Sequence, residues 1–290
     1  MPHLIRAMRP QHWVKNVFVL APLVFAQQAG DTANVARVLA AFGLFSLLAS
    51  AVYLINDIAD READKQHPRK KLRPIACGDL SPVAAAVAAA VLVVVALGSA
   101  FFLTPELAMV LAVYLGVNVT YSAGLKRVVI LDVMLLASGF LLRAWAGASV
   151  IDVEMSHWLL LCTGLISLFL GLVKRRQEIV ALDTAAADQR PILREYSLPF
   201  LDQMISSVTA GTIVAYSLYA FSPEVAEKLH TQRMGLTIPF VVFGIFRYLY
   251  LVYQREEGQN PTALILRDRA LLLNIGLWAV VVLGALYTGA

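Results

Sequence analysis

The chain of 290 residues is unusually apolar, with 59% hydrophobic residues, 15% charged residues and a mean hydropathy of +0.70. Soluble domains commonly contain about 25% charged residues, so this composition excludes an ordinary soluble protein. The net charge of +4 does not indicate a nucleic-acid-binding protein, because membrane topology accounts for the placement of the basic residues. The composition instead predicts an all-α protein that crosses a membrane several times.

Nine apolar segments are predicted to be membrane-spanning helices, since each is long enough to cross roughly 30 Å of hydrocarbon. Two of them begin with a hydroxyl residue followed by proline, Ser81-Pro82 and Thr104-Pro105, a pattern typical of helix starts. We interpret the whole chain, 1–290, as a single integral-membrane catalytic domain. The predicted spans cover residues 13–29, 33–55, 82–103, 106–121, 128–150, 157–173, 201–221, 235–253 and 269–288.

The basic residues predict the orientation in the membrane. Most of the 24 lysines and arginines lie at the N-terminus and in four breaks, at 61–80, 122–127, 174–200 and 254–268. Because cytoplasmic loops retain positive charge, we expect a cytoplasmic N-terminus and, with nine spans, an external C-terminus. The protein is therefore predicted to lie in the inner (plasma) membrane with its long loops in the cytoplasm. We expect no removable signal peptide, since the N-terminal segment lacks a small-residue cleavage site.

Three carboxylates follow the second predicted span. At 100° per residue, the pattern NDxxDxxxD places Asn56, Asp57, Asp60 and Asp64 on one face over two turns, provided that the helix continues past Asp64. Like charges at this spacing repel, and Mg²⁺ relieves such repulsion by binding one or two carboxylates together with substrate phosphates. We predict that the three aspartates bind Mg²⁺; a solvated polar helix end is the alternative.

A basic loop, KQHPRKKLRP, comes directly after the aspartates. Diphosphate carries more negative charge than one Mg²⁺ neutralises, so neighbouring cations would complete its binding site. Arg73 is the candidate for a specific contact, because Pro74 stiffens the backbone that presents it. The general excess of positive charge in cytoplasmic loops is the alternative explanation.

The aspartate motif, the basic loop and the sequence RPIACG together resemble the UbiA superfamily of intramembrane prenyltransferases over essentially the whole chain. This resemblance implies a nine-helix bundle in which two aspartate-rich motifs hold Mg²⁺ and a prenyl diphosphate. The second motif departs from that pattern, since KRRQE occupies residues 174–178 and retains only Glu178 as a carboxylate. One acidic and one basic motif would suit two anionic ligands.

Four further segments resemble the decaprenyl-phosphate phosphoribosyltransferase branch of that superfamily: RPQHWVKNVFVLAPLVF at 9–25, YSAGLKR at 121–127, LDVMLLASGFLLRAWAGA at 131–148, and KRRQE. The resemblance implies a Mg²⁺-dependent transfer of phosphoribose from phosphoribosyl diphosphate (PRPP) to a polyprenyl phosphate in the bilayer. The product would be a precursor of cell-wall arabinan, as in arabinogalactan. A prenyltransferase acting on an aromatic or lipid acceptor and an ion-coupled transporter are the alternatives.

Within that interpretation the aspartates and Asn56 form the catalytic group, and no general base is needed because the acceptor phosphate is already ionised. Arg143 lies deep in an apolar span and needs a partner, which is either the acceptor phosphate or a carboxylate or carbonyl of a neighbouring helix. Lys15 either reaches a phosphate or lies at the membrane interface. A homo-oligomer is left open. The candidate substrate-binding residues are Lys15, Asn16, Arg73, Tyr121, Lys126, Arg127, Arg143, Lys174, Arg175 and Glu178.

Overall fold

Helices joined by short turns make up the part of the chain that the computed structural model describes, residues 2–66, 70–181, 191–255 and 261–287. No β-strand occurs in these ranges, which confirms the all-α prediction. The chain forms two compact units. Unit 1 comprises Met1–Val24, Gln28–Leu135 and Gly139–Met155, and unit 2 comprises Phe25–Gln27, Leu136–Ser138 and Ser156–Ala290.

Unit 1 contains most of the N-terminal half of the chain. The elements are α1 (Pro2–Met8), a 3-10 helix (Pro10–Leu20), α2 (Ala21–Phe25), α3 (Thr32–Ala59), α4 (Arg61–Gln66), a 3-10 turn (Lys70–Leu72), α5 (Pro74–Cys77), α6 (Pro82–Leu103), α7 (Pro105–Ala123), a 3-10 turn (Leu125–Arg127) and α8 (Leu131–Ser149). The apolar core lies between α3, α6, α7 and α8 and includes Phe45, Leu111 and Tyr114.

Unit 2 contains the C-terminal half. The elements are α9 (His157–Val180), a 3-10 turn (Pro191–Glu195), α10 (Leu198–Phe221), α11 (Pro223–Leu229), a 3-10 turn (Arg233–Thr237), α12 (Ile238–Gln254), α13 (Pro261–Arg267) and α14 (Arg269–Tyr287). The longest of these helices pack in pairs, α9 against α10 and α12 against α14.

Side-chain caps fix where several long helices begin. The Ser81 hydroxyl accepts a hydrogen bond from the backbone N–H of Ala84 (3.1 Å), and the Thr104 hydroxyl accepts one from Leu107 (3.2 Å). Each cap satisfies a backbone donor that the first helical turn leaves without a partner. Both predicted helix starts are therefore confirmed.

Eight helices in the described ranges are long and apolar enough to cross a membrane, namely α3, α6, α7, α8, α9, α10, the stretch Arg233–Gln254 and α14. They correspond to eight of the nine predicted spans. The remaining predicted span, 13–29, differs, because a 3-10 helix and the short α2 occupy that part of the chain. The total of nine spans and the cytoplasmic N-terminus stay predictions.

Contacts with α3 explain why the N-terminal segment is a 3-10 helix. Trp13 donates a hydrogen bond to the Ser50 hydroxyl (3.0 Å), and Asn16 donates one to the Ser46 hydroxyl (2.9 Å). Three residues of 3-10 helix rise by about 6 Å, as four residues of α-helix do. The two pairs therefore stay in register along both elements. The 3-10 helix also packs closely against α8. A Cβ at Gly147 would clash with the carbonyl oxygen of Val19.

Candidate active site

The aspartate motif spans the junction of two helices. Asn56 and Asp57 lie in the last turn of α3, which continues beyond the predicted end at residue 55. Asp60 caps that helix, and Asp64 lies in α4. Hydrogen bonds carry the helical path through the junction, since Asp60 N–H donates to the Asn56 carbonyl (2.9 Å) and Asp64 N–H donates to the Asp60 carbonyl (2.8 Å).

Asp57 and Asp64 face the same cation. The Nη1 of Arg73 donates to Asp57 Oδ1 (3.0 Å) and to Asp64 Oδ2 (2.6 Å). Both carboxylates are buried, so charge-assisted bonds of this kind offset part of their desolvation cost. The predicted shared face is therefore present for these two side chains, and Arg73 from the basic loop lies against them.

Two more cations contact the motif. Arg9 Nη2 donates to Asp57 Oδ1 (2.6 Å), and Lys126 Nζ donates to Asp60 Oδ1 (2.9 Å). These contacts link segments far apart in the sequence, from the N-terminus and from the turn that follows α7. The motif is therefore neutralised by side chains of the chain itself.

The environment of Asp57 fits a cation ligand. Its Oδ2 is buried and has no hydrogen-bond partner among the described residues, and leaving such an oxygen unsatisfied is costly. In the same ranges, no group of three or more His, Cys, Asp and Glu side chains is arranged to hold a metal ion. The unpartnered oxygen of Asp57 fits Mg²⁺, which needs only one or two protein carboxylates when phosphate oxygens and water complete its shell. The three-aspartate ligand set stays a prediction.

Glu62 shows the contrast with a carboxylate outside the site. It is exposed on α4 and accepts a hydrogen bond from Lys65 Nζ (2.8 Å). That bond holds the pKa of Glu62 below its usual value. Glu62 is therefore a nearby acid whose ion-pair partners, Lys65 and Arg61, lie on α4 itself.

The YSAGLKR segment reaches the motif through two of its residues. Ser122 donates a hydrogen bond to the Asn56 amide oxygen (2.6 Å), and Lys126 contacts Asp60 as described. Tyr121 lies half-buried next to Ser122, whereas Arg127 is exposed and makes no ion pair in the described ranges. Ser122 and Lys126 therefore lie beside the motif, and the substrate-binding roles of Tyr121, Lys126 and Arg127 stay predictions.

Arg143 is buried in α8 among polar groups that carry no charge. Its Nε donates to Asn16 Oδ1 (2.7 Å), its Nη1 to the Gly139 carbonyl (2.6 Å) and its Nη2 to the Tyr114 hydroxyl (3.3 Å). No carboxylate pairs with it among the described residues. These contacts give Arg143 partners within the chain, and the substrate-binding roles of Arg143 and Asn16 stay predictions. The rings of Phe45, Tyr114 and Phe140 surround the guanidinium at 5.0–5.3 Å.

The basic segment of unit 2 is arranged around Glu178. Arg175 is fully buried and its Nη1 donates to Glu178 Oε2 (2.5 Å), while Lys174 Nζ lies 3.9 Å from Glu178 Oε1. The Lys174 side chain is 39% exposed, so it is the accessible cation of the two. Lys15, the remaining candidate, lies half-buried on the 3-10 helix of unit 1.

Two contacts were not predicted from the sequence. Arg9 binds Asp57, and Ser122 binds Asn56. A signal for Arg9 was present, because an arginine directly before a proline starts the apolar segment on the same predicted side as the aspartates. Ser122 offers no comparable signal, since serine is common at helix ends.

Known proteins resemble this chain along its whole length. The model of the UbiA prenyltransferase family matches residues 16–275. A decaprenyl-phosphate phosphoribosyltransferase of Mycolicibacterium smegmatis is 37% identical over 98% of this chain and 92% of its own, and one from Mycobacterium tuberculosis is 36% identical over 99% and 95%. A UbiA homologue from Archaeoglobus fulgidus, solved with GPP and Mg²⁺, superposes with a TM-score of 0.72 at 14% identity, over 99% of this chain and 98% of that one.

Proposed function

The chain belongs to the UbiA prenyltransferase family, and from this premise we propose that it transfers the 5-phosphoribosyl group of PRPP to a polyprenyl phosphate of the decaprenyl type. The protein is an integral membrane transferase. The observation that most favours PRPP over a prenyl diphosphate is the basic segment at residues 174–178, which places an accessible Lys174 where prenyltransferases of this family carry an aspartate cluster. The lipid is then the acceptor and not the donor.

The aspartate motif is proposed to bind the diphosphate of PRPP. Asp57, Asp60 and Asp64 would hold Mg²⁺, and the unpartnered Asp57 Oδ2 is the oxygen best prepared for it. When bound, Mg²⁺ would neutralise charge on the diphosphate leaving group. Arg73 and Lys126 lie within hydrogen-bond distance of the same carboxylates and would bind the phosphate oxygens that Mg²⁺ leaves free.

The proposed chemistry requires little from the protein beyond positioning. The bond between ribose C1 and the diphosphate oxygen breaks, and an oxygen of the acceptor phosphate forms the new bond to C1. The acceptor is ionised at neutral pH, so no residue has to remove a proton. Preorganised cations stabilise the charge that develops on the leaving diphosphate, which is commonly the largest contribution in such transfers.

The acceptor and ribose contacts are proposed for the remaining candidates. In unit 2, Lys174 would bind a substrate phosphate, while the buried Arg175 would hold Glu178 in place for a ribose hydroxyl or a second metal ion. In unit 1, Arg127 and Tyr121 flank Lys126 and would extend the diphosphate site. We place the reaction at the cytoplasmic face of the plasma membrane, where it would supply precursors for cell-wall arabinan.

The test is a transfer assay with purified protein in lipid vesicles. Labelled PRPP with polyprenyl phosphate should give a labelled lipid on chromatography, and EDTA should abolish its formation. Labelled prenyl diphosphate with an aromatic acceptor should give none. Prenyl transfer without ribose incorporation would replace our proposal with the prenyltransferase alternative, and uptake of a cation without any covalent product would favour a transporter.

The role of the basic segment has its own test in the same assay. Lys174→Asp should lower product formation, and unchanged use of PRPP by this variant would refute that role.

A further inference from the structure

Arg9 occupies an unusual position at the edge of the aspartate motif. It lies between α1 and the 3-10 helix and adopts a left-handed backbone conformation (φ 55°, ψ 58°). This conformation is uncommon for a residue other than glycine, and the proline that follows restricts the backbone further. Backbone strain of this kind persists where the surrounding structure enforces it, often at functional sites. The surrounding structure therefore holds the Arg9 backbone in this conformation.

Three contacts hold Arg9 in that position. Its carbonyl accepts a hydrogen bond from His12 N–H (2.9 Å), and its own N–H donates to the Arg6 carbonyl (3.3 Å). Its guanidinium lies 4.9 Å from the centre of the Tyr53 ring, within the range of a cation–π contact. The side chain is thus oriented towards Asp57 by its backbone and by an aromatic ring.

The hydrogen-bond partners of Asp57 are unevenly distributed over its two carboxylate oxygens. Arg9 and Arg73 both donate to Oδ1, at 2.6 and 3.0 Å, whereas Oδ2 has no partner among the described residues. One carboxylate oxygen thus receives two guanidinium groups, which repel each other. Arg73 also donates to Asp64 Oδ2 (2.6 Å), so Asp57 keeps a cationic partner when Arg9 leaves it, and Arg9 is the cation that an anionic ligand could recruit.

We propose that Arg9 is a further diphosphate-binding residue and that it exchanges partners, pairing with Asp57 in the free protein and with the diphosphate when Mg²⁺ and PRPP bind. This inference rests on the proposed function. A divalent cation on Asp57 competes with the guanidinium for the same carboxylate, and the planar guanidinium then matches phosphate oxygens.

The exchange predicts effects of opposite sign in one variant. Without PRPP, Arg9 competes with the metal ion, so Arg9→Ala should tighten metal binding by about three- to tenfold. With the metal present, Arg9 binds the donor, so the same variant should weaken PRPP binding by about ten- to a hundredfold, the range for losing a charge-assisted hydrogen bond. Arg9→Lys keeps the charge without the planar fork and should give smaller changes in both directions.

Mn²⁺ is the probe. It is titrated into the full-length protein in detergent, with and without PRPP, and electron paramagnetic resonance measures how tightly it binds. Arg37→Ala is the matched control, because Arg37 is exposed near the start of α3, at the opposite end of that helix from Asp57. Gel filtration verifies folding, and Arg9→Gln replaces the alanine variant if that one aggregates. Weaker binding of Mn²⁺ alone by Arg9→Ala would show that Arg9 only organises Asp57 and would overturn the proposal, as would behaviour identical to that of Arg37→Ala. If PRPP does not affect Mn²⁺ binding by the unmodified protein, the proposed function itself fails.

Discussion

Asp57 and Glu62 are five residues apart, yet one is buried between two guanidinium groups and the other is exposed beside Lys65. Asp57→Asn should reduce PRPP-dependent product formation at least about a hundredfold, since it removes a carboxylate proposed to hold the Mg²⁺ that neutralises the leaving diphosphate. Glu62→Gln, the matched control, should stay within about twofold. Steady-state assays over a Mg²⁺ titration measure both variants. Equal losses, or normal turnover by Asp57→Asn, would remove Asp57 from the metal site.

Arg143 carries a charge whose contacts are all within unit 1. Arg143→Ala should lower the free energy of unfolding by about 2–4 kcal/mol, because it leaves a cavity and leaves Asn16 Oδ1 and the Tyr114 hydroxyl without a partner. Thermal unfolding in detergent measures the loss. A stable variant that no longer uses polyprenyl phosphate would instead favour the acceptor-phosphate alternative.

At the scale of helices, Asp268 joins α12 to the start of α14. Its Oδ2 accepts a hydrogen bond from Arg247 Nη2 (2.8 Å), and its Oδ1 accepts one from Leu271 N–H (2.8 Å). The bond from Arg247 lowers the pKa of Asp268. The ionised form is thus favoured by folding, so this stabilisation is complete above the unfolded pKa of about 3.9 and is lost as the pH falls through the lower folded pKa.

Two variants of Asp268 separate the cap from the ion pair. Asp268→Ala removes both and should cost about 1–2 kcal/mol at neutral pH. Asp268→Asn keeps a good cap and should cost less, because the ion pair that it loses is partly exposed. Thermal melts at pH 7 and at about pH 3, below the unfolded pKa, measure these differences. A variant difference that grows as the pH falls would contradict the sign of the pKa shift.

The contact between α8 and the 3-10 helix depends on a residue without a side chain. A Cβ at Gly147 would lie 1.9 Å from the Val19 carbonyl oxygen, so Gly147→Ala must push the two backbones apart. We expect a loss of about 1–3 kcal/mol of stability or more. Gly43→Ala on α3 has open space around its Cβ and should change stability by less than about 1 kcal/mol. Equal thermal midpoints for the two variants would show that the close approach has no energetic consequence.

The sequence allowed most helices to be predicted, because apolar length and proline caps are local signals, as at Ser81 and Thr104. It also placed Asp57 and Asp64 on one face, since the helical period determines that relation. It could not predict the 3-10 helix, which depends on matching side chains to the spacing of serines on α3. Nor could it predict the pairing of Arg9, because that contact joins residues 48 positions apart through a left-handed backbone turn.

At the scale of the whole molecule, the N-terminal segment bears on the count of membrane crossings. Eleven residues of 3-10 helix and the five residues of α2 together rise by about 30 Å, although sixteen residues of α-helix would rise by only about 24 Å. The segment therefore matches the hydrocarbon thickness despite its small number of residues. This length supports nine crossings, an odd number that would put the two ends of the chain on opposite sides.

Cys77 provides a native test of that topology, since it is exposed at the end of α5 in a predicted cytoplasmic loop. In a Cys162→Ser background, a membrane-impermeant maleimide should label Cys77 only after spheroplasts are permeabilised. Cys77→Ser combined with Lys228→Cys, on the exposed surface of α11 and predicted to be external, should be labelled without permeabilisation. Gel mobility of the labelled protein gives the result. The reverse pattern would invert the orientation and place the aspartates outside the cell.

The cations around the aspartates determine whether the folded state depends on a bound metal ion. In proteins with structural metal sites, chelation removes the bond network that folds the domain. Here Arg9, Arg73 and Lys126 already balance the carboxylates from within the chain. We therefore expect the fold to survive removal of Mg²⁺, so that the proposed Mg²⁺-dependent activity would return with the ion and without new synthesis of the protein.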